Sequence, residues 1–296
     1  MENAHLITNR IGRQYYIYNN DKLYEQRFAR ENGPYQVRNL KFIRKCCPNA
    51  KTIIDVGMNI GNNTIEYSTW AKKVIGFEPF IDTFNLAKIN IEHNKNRKIK
   101  GRYYNSRKKE YIHDLNKEDG WWKENEKFVS LDMISEIEIY NFALGEENKK
   151  VKFVLHPKDA GHNYIKKDNR KIKNKIIEVE MKTLDSLNIK DVSAIKIDTE
   201  GYDLFIIKGA IETIKKYRPL IQVEIVENNY KRFNYKPQDL LDYFFSNFDN
   251  YVFCDYKQNI LDKKWKKIKG VMDYFFVPKE LINCKQKCLD YFKVNQ

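Results

Sequence analysis

The chain has 296 residues, 42% hydrophobic and 32% charged, which is enough to bury the core of one large globular domain. No stretch approaches the roughly 20 apolar residues of a membrane span, and MENAHLITNRIGRQYYIYNN lacks the basic-then-apolar pattern of a secretory leader, so a cytoplasmic protein is expected. The formal charge of +14 admits a nucleic-acid partner, although it is spread through NKNRKIKGRYYNSRKKE, KKDNRKIKNK and KKWKKIKG rather than gathered in one tail.

Residues 1–50 read as an N-terminal extension of weak periodicity. Tyr15 to Tyr18 suggests a short strand, Asn32-Gly33-Pro34 a turn, and Gln36 to Cys46 a helix stopped at Cys47-Pro48. The pattern changes at Lys51. Thr52 to Val56 is a β-branched run halted by Gly57, the profile of a strand buried on both faces. Asn62 to Lys72 follows as a helix, Val74 to Glu78 as a second buried strand, and Phe80, Phe84, Ala87 and Ile91 recur at helical spacing. Strand, helix, strand, helix over so few residues predicts βαβ units and a parallel sheet.

Periodicity lapses over residues 97–136, a basic and aromatic insertion carrying Trp121-Trp122. Ile137 to Leu144 resumes as a third strand. Val151 to Leu155 and Ile176 to Met181 form an antiparallel excursion, residues 151–182, around a polar loop. Ser193 to Asp198 is the fourth buried strand, and the helix after it carries Leu204, Ile207, Ile211 and Ile214 on one stripe before Arg218-Pro219. Leu220 to Ile225 is the fifth. Pro237 opens a helix with Leu240, Leu241, Phe244, Phe245 and Phe248 inward, and Tyr251 to Cys254 with Met272 to Val277 closes the sheet as an antiparallel pair. The main domain is placed at 51–280, with 281–296 as a C-terminal tail. The expected architecture is α/β: a doubly wound, Rossmann-like, mostly parallel sheet of seven strands with an antiparallel end.

The five cysteines form no disulfide framework. Cys284 and Cys288 stand four apart, but no histidine or further cysteine pair lies near them, so no metal site is expected.

Asp55-Val56-Gly57-Met58-Asn59-Ile60-Gly61-Asn62-Asn63-Thr64 falls where the first strand turns into its helix. Ligands of open α/β sheets bind outside the carboxyl ends of the strands. Gly57 and Gly61 let the backbone turn tightly there. Glu78, ending the second strand, can accept both hydroxyls of a ribose. A dinucleotide fingerprint would need G-x-G-x-x-G, whereas position 59 is Asn and the spacing is wider. Asn59, Asn62, Asn63 and Thr64 instead suit the zwitterionic tail of S-adenosylmethionine, which is the expected cofactor.

IIDVGMNIGNNT, VIGFEPF, TLDSL, IKIDTEGYDLFIIKGA and RPLIQVEI, in that order over residues 51–228, resemble the ordered signature of FkbM-family methyltransferases; the closing DYFFVP resembles the family's last strand. The resemblance implies a class I methyltransferase fold and methyl transfer from S-adenosylmethionine to hydroxyls, typically of sugars or secondary metabolites. It also implies that Asp55, Gly57 and Gly61 shape the cofactor loop and that Glu78, before Pro79, holds the ribose. Phe80 is implied to lie near the adenine, Asn141 and Ala143 to line its pocket, and Asp198 and Glu200 to face the substrate. The insertion is long for the family, and the extension has no counterpart in it, so the acceptor does not carry over.

Methyl transfer to a hydroxyl needs alignment and gains from a base. Asp198, Glu200 and His162 are the candidate catalytic residues. Asp198 or Thr199 can instead cap a helix, with Glu200 favouring its positive end. His162, in the polar loop, is the other base candidate, since imidazole is the side chain suited to taking a proton near neutral pH. Asp198, Glu200 and Glu224 together can bind a divalent cation, but the spacing does not require one. The leading function is O-methylation of a hydroxylated glycan or small molecule. The alternatives are ribose methylation of RNA and an inactive cofactor-binding module. An Asp or Asn before Pro-Pro and an aromatic, the mark of adenine N-methylation, is absent.

Overall fold

The computed structural model describes residues 3–9, 12–19, 21, 25–26, 36–95, 97, 102–105, 110–113, 123–124, 127–128, 132–156, 160–167, 171–255, 259–268 and 272–281. Ala4–Thr8 (β1) and Gln14–Tyr18 (β2) pair as an antiparallel hairpin, followed by the helix Val37–Cys46 (α1). The turn expected at 32–34 lies outside the described residues, as do Trp121, Trp122, Cys284 and Cys288.

The parallel half begins with Thr52–Val56 (β3), Asn62–Tyr67 (α2), Lys73–Phe77 (β4) and Ile81–Lys95 (α3). Helix α2 stops at Tyr67, short of the expected Lys72. The hydroxyls of Ser68 and Thr69 donate to the carbonyls of Ile65 and Glu66, a local alternative to continuing the helix. Within the segment read as an insertion, Arg102–Asn105 (β5) pairs with Glu110–His113 (β6), and Lys123–Glu124 (β7) with Lys127–Phe128 (β8).

Glu136–Tyr140 (β9) lies parallel to β4. The strand expected to continue to Leu144 breaks at Asn141-Phe142, and Ala143–Leu144 (β10) pairs elsewhere. The Asn141 amide donates to the carbonyls of Glu78 and Pro79, which turns the chain off the main sheet. Strand β10 joins Lys149–Val154 (β11), Tyr164–Lys166 (β12) and Ile176–Lys182 (β13) in a sheet ordered β10-β13-β11-β12. Strand β12 lies in what reads as a polar loop; its one fully buried side chain, Ile165, is too little to show as periodicity.

The chain then returns through Val192–Ile197 (β14), Asp203–Lys208 (α4), Ile211–Tyr217 (α5), Leu220–Glu224 (β15) and Glu227–Tyr230 (α6). The single helix expected after β14 is divided at Gly209-Ala210. A Cβ on Gly209 would stand 1.8 Å from the carbonyl oxygen of Gly145, so this backbone packs directly on that of the excursion. Pro237–Asn247 (α7), Tyr251–Asp255 (β16), Ile260–Leu261 (β17) and Asp273–Pro278 (β18) complete the described fold.

The main sheet runs β17-β16-β18-β15-β14-β3-β4-β9, parallel from β9 through β15 and antiparallel beyond. It has the seven strands expected plus the two-residue edge strand β17. The chain winds outward from β3 to β9 and then crosses back to β14, so the carboxyl ends of β3 and β14 flank the switch in direction where such sheets bind ligands. Every residue of β3 is buried. The N-terminal segment is built into this body. Tyr15 and Ile17 pack with Ile60, Ile65 and Leu86, and Arg13 Nε donates to the buried Glu66 at 3.0 Å. No helix among the described residues is long and apolar enough to cross a membrane.

Candidate cofactor and acceptor site

After β3 the chain turns at Gly57, where φ is +73° and a Cβ would lie 2.0 Å from the carbonyl oxygen of Asp198. Only glycine lets the loop approach the end of β14 this closely. Asn59 adopts φ 50°, which asparagine tolerates, and Gly61, at φ +83°, starts α2. Neighbouring side chains brace the turn. Asn62 donates to Asn63, and Asn63 donates to Gln36 at 2.7 Å, bringing the N-terminal segment against the loop.

Below the loop sits Lys196, a cation that sequence reasoning missed. It is the register partner of Asp55 across β3 and β14. Its ammonium donates to Asp55 Oδ1 and to the Gly57 carbonyl, both at 3.1 Å, and lies 3.4 Å from Asp198 Oδ2. Thr64 Oγ1 donates to the other Asp55 oxygen at 2.7 Å. Burial pulls the Lys196 pKa down, but Asp55 and then Asp198 outweigh it and hold the group above its ordinary range. A lysine in the middle of an otherwise apolar buried strand was the available signal.

Glu78, 7% exposed, follows β4. Its Oε1 accepts from the Phe80 N–H at 2.9 Å and its Oε2 from the Asn59 N–H at 3.2 Å. Burial raises its pKa to about 7 against the pull of these donors.

A cavity of about 270 Å³ opens between loop and strand ends. Gly57, Asn59, Asn62, Asn63, Glu78, Pro79 and Ala143 line its loop side, together with Phe142, which the sequence did not mark. Asp55, Gly61, Thr64, Phe80 and Asn141 do not line it. Thr64 with Asp55, and Asn141, which holds the carbonyls of Glu78 and Pro79, support it from behind. Phe80 packs on the main core instead.

The opposite side gathers Asp198, Thr199, Glu200, His162, Glu224 and Asn229. Glu200, at φ 57°, accepts from Asn229 Nδ2 at 2.7 Å, with Arg232 3.6 Å away. Burial, and then the charge of Asp198, raises the Glu200 pKa to about 7. Glu224 is pushed well above the ordinary carboxylate range by burial and by Asp198. His162 stands with its ring 5.5 Å from that of His156. Among the described residues no three His, Cys, Asp or Glu side chains are grouped to hold a metal ion.

The wall fits an adenosine carrying a polar tail. Each Glu78 oxygen has one backbone donor and retains capacity to accept a hydroxyl. Asn59 Oδ1 and Thr199 Oγ1 are buried at the cavity without a hydrogen-bond partner in the protein, and a polar ligand would satisfy them.

The model of the methyltransferase FkbM domain matches residues 55–257, more than half of the chain. The chain belongs to the FkbM methyltransferase family. The cofactor of this FkbM domain is S-adenosylmethionine, as the loop suggests. Similar solved structures include an FkbM methyltransferase from Methylobacillus flagellatus, at 15% identity and a TM-score of 0.44, over 76% of this chain and 43% of that one. A putative methyltransferase from Streptococcus mutans in complex with SAH is 12% identical, with a TM-score of 0.39, over 82% of this chain and 96% of that one. The chain thus spans less than half the length of the Methylobacillus protein. No curated protein matches it.

Proposed function

We propose that this FkbM-family chain transfers a methyl group from S-adenosylmethionine to a hydroxyl oxygen of a glycan or small metabolite. The observation that carries this reading is that one cavity holds both halves of the required chemistry: Glu78 on one side, and Asp198 with Glu200 on the other.

In this reading Glu78 accepts the ribose hydroxyls, while the loop from Gly57 to Asn63 receives the methionine end. When bound, the cofactor supplies an activated methyl on a sulfonium. The hydroxyl oxygen takes that methyl as the carbon–sulfur bond breaks, leaving S-adenosylhomocysteine and one proton. Glu200 is the best-tuned acceptor for the proton, because a base works best with a pKa near the operating pH and its own lies at about 7. Asp198, held 3.4 Å from Lys196, orients the hydroxyl, and His162 is the competing base. The main domain is assigned to 51–280, with the insertion shaping the acceptor side and Gln36 of the N-terminal extension bracing the cofactor loop through Asn63. Cys46, Cys47 and Cys254 are buried thiols, which supports a reducing, cytoplasmic setting.

The test is a transfer assay with methyl-labelled cofactor across glycans, small hydroxylated metabolites and RNA. Label arriving on a hydroxyl of the first two classes is expected. Label arriving on RNA alone, or on nitrogen, would overturn the reading.

A further inference from the structure

A second cavity, of about 240 Å³, adjoins the first. Ile165 of β12 lines both. The cations of the second are Lys166, Lys167, Lys171 and Arg232, brought together from the excursion and from the turn that follows α6. S-adenosylmethionine has no phosphate, so cofactor binding does not call on these cations.

Arg232 joins the two spaces. Its guanidinium lies 4.4 Å over the ring of Tyr164, and its Nη1 is 3.6 Å from Glu200 Oε2, too far for a hydrogen bond. That Nη1 is buried without a hydrogen-bond partner in the protein. A buried donor of this kind is costly unless something accepts from it. Lys167, paired with Glu146 at 3.1 Å, lines the cavity together with Lys166 and Lys171.

We propose that the acceptor is a small hydroxylated molecule bearing a phosphate or diphosphate, whose anionic group is held in this basic cavity beside the acceptor side of the cleft. The proposal rests on the methyltransferase reading and deepens it by naming the substrate class. The guanidinium fork matches phosphoryl oxygens in geometry as well as charge, and lysines add point charges around it. The shape separates a small molecule from a polymer. A nucleic-acid backbone is tracked by an extended groove, whereas here the cations line one cavity of about 240 Å³. The shared residue Ile165 and the bridging Arg232 set that anion next to Glu200, so the hydroxyl to be methylated lies close to the phosphoryl group.

The test uses the full chain loaded with S-adenosylhomocysteine and titrated with inorganic pyrophosphate by calorimetry. Saturable binding is expected, weakened at least tenfold in the double variant Lys166→Gln, Lys171→Gln and again in Arg232→Gln. The double variant should keep its S-adenosylhomocysteine affinity within twofold. No pyrophosphate binding, or binding indifferent to all these changes, overturns the proposal while intact cofactor binding leaves the methyltransferase reading standing. Loss of cofactor binding by the unaltered chain would instead sink that underlying reading. In the labelled-methyl assay, hexose monophosphates and nucleoside-diphosphate hexoses should accept label where the parent hexoses do not. The reverse preference, or methylation of an RNA oligonucleotide alone, overturns the proposal.

Discussion

Lys196 and Asp55 face each other as register partners on adjacent parallel strands, and the ammonium donates to Asp55 Oδ1 at 3.1 Å in the buried floor of the cofactor loop. Both side chains are almost fully enclosed, at 4% and 0% exposure. Removing one partner leaves the other charge buried, which costs about 3–5 kcal/mol. Lys196→Met should therefore lower unfolding free energy by about that amount in urea denaturation. A loss below about 1 kcal/mol would mean that the pair behaves like an exposed one.

Glu78→Ala should weaken S-adenosylmethionine binding and leave the fold intact. Two hydrogen bonds to a charged acceptor are worth about 2–4 kcal/mol together, allowing for non-additivity. Calorimetry on the folded variant reads the loss directly. Unchanged affinity would remove Glu78 from the ribose site.

The raised pKa of Glu78 gives cofactor binding a pH dependence. Its folded value, about 7, lies above the ordinary 4.5, so the empty folded chain retains a proton that the unfolded chain loses within that window. Its contribution to stability is full below 4.5 and is lost as pH rises through about 7. Accepting two hydroxyls favours the ionised form, so affinity for S-adenosylmethionine should rise with pH up to about 7 and level off above it. The limiting slope is about tenfold per pH unit for one proton. Glu78→Gln should flatten this profile; a profile unchanged by the substitution would assign the titration to another group.

Turnover separates the three candidate catalytic residues. Glu200→Gln should lower turnover by roughly 10²-fold or more, the low end of general-base catalysis, with little change in cofactor affinity. The acid limb of the unaltered enzyme's profile should lie near the Glu200 value of about 7. Asp198→Asn and His162→Ala are the comparisons. A loss of that size confined to His162→Ala would transfer the role to the histidine, and small losses in all three would leave alignment as the whole of catalysis.

Arg13 anchors the N-terminal hairpin. Its side chain and that of Glu66 are 0% and 1% exposed, and Tyr15 Oη donates to the same carboxylate. Arg13→Met should cost about 3–5 kcal/mol in denaturant midpoint analysis, because Glu66 would be left buried without its cation. A cost near zero would make the hairpin peripheral to the fold.

The amino-acid order by itself determined the features that arise locally. Thr52 to Val56, Ser193 to Asp198 and Leu220 to Ile225 read as buried strands because β-branched and aliphatic runs of that length have few other stable uses. Gly57 and Glu78 could be singled out because a turn at a strand end and an acid closing the next strand are both short-range patterns. Tertiary structure decided what depends on a neighbour distant in sequence. Lys196 becomes the floor of the loop only when β14 is laid beside β3. The helix after β14 divides at Gly209 because the backbone of Gly145 presses against it, and the strand after β9 breaks because Asn141 finds the carbonyls of Glu78 and Pro79. Arg232 and Ile165 reach the acceptor side through the packing of the excursion on the main domain. Periodicity records which face of a segment is buried; it carries no record of the partner that buries it.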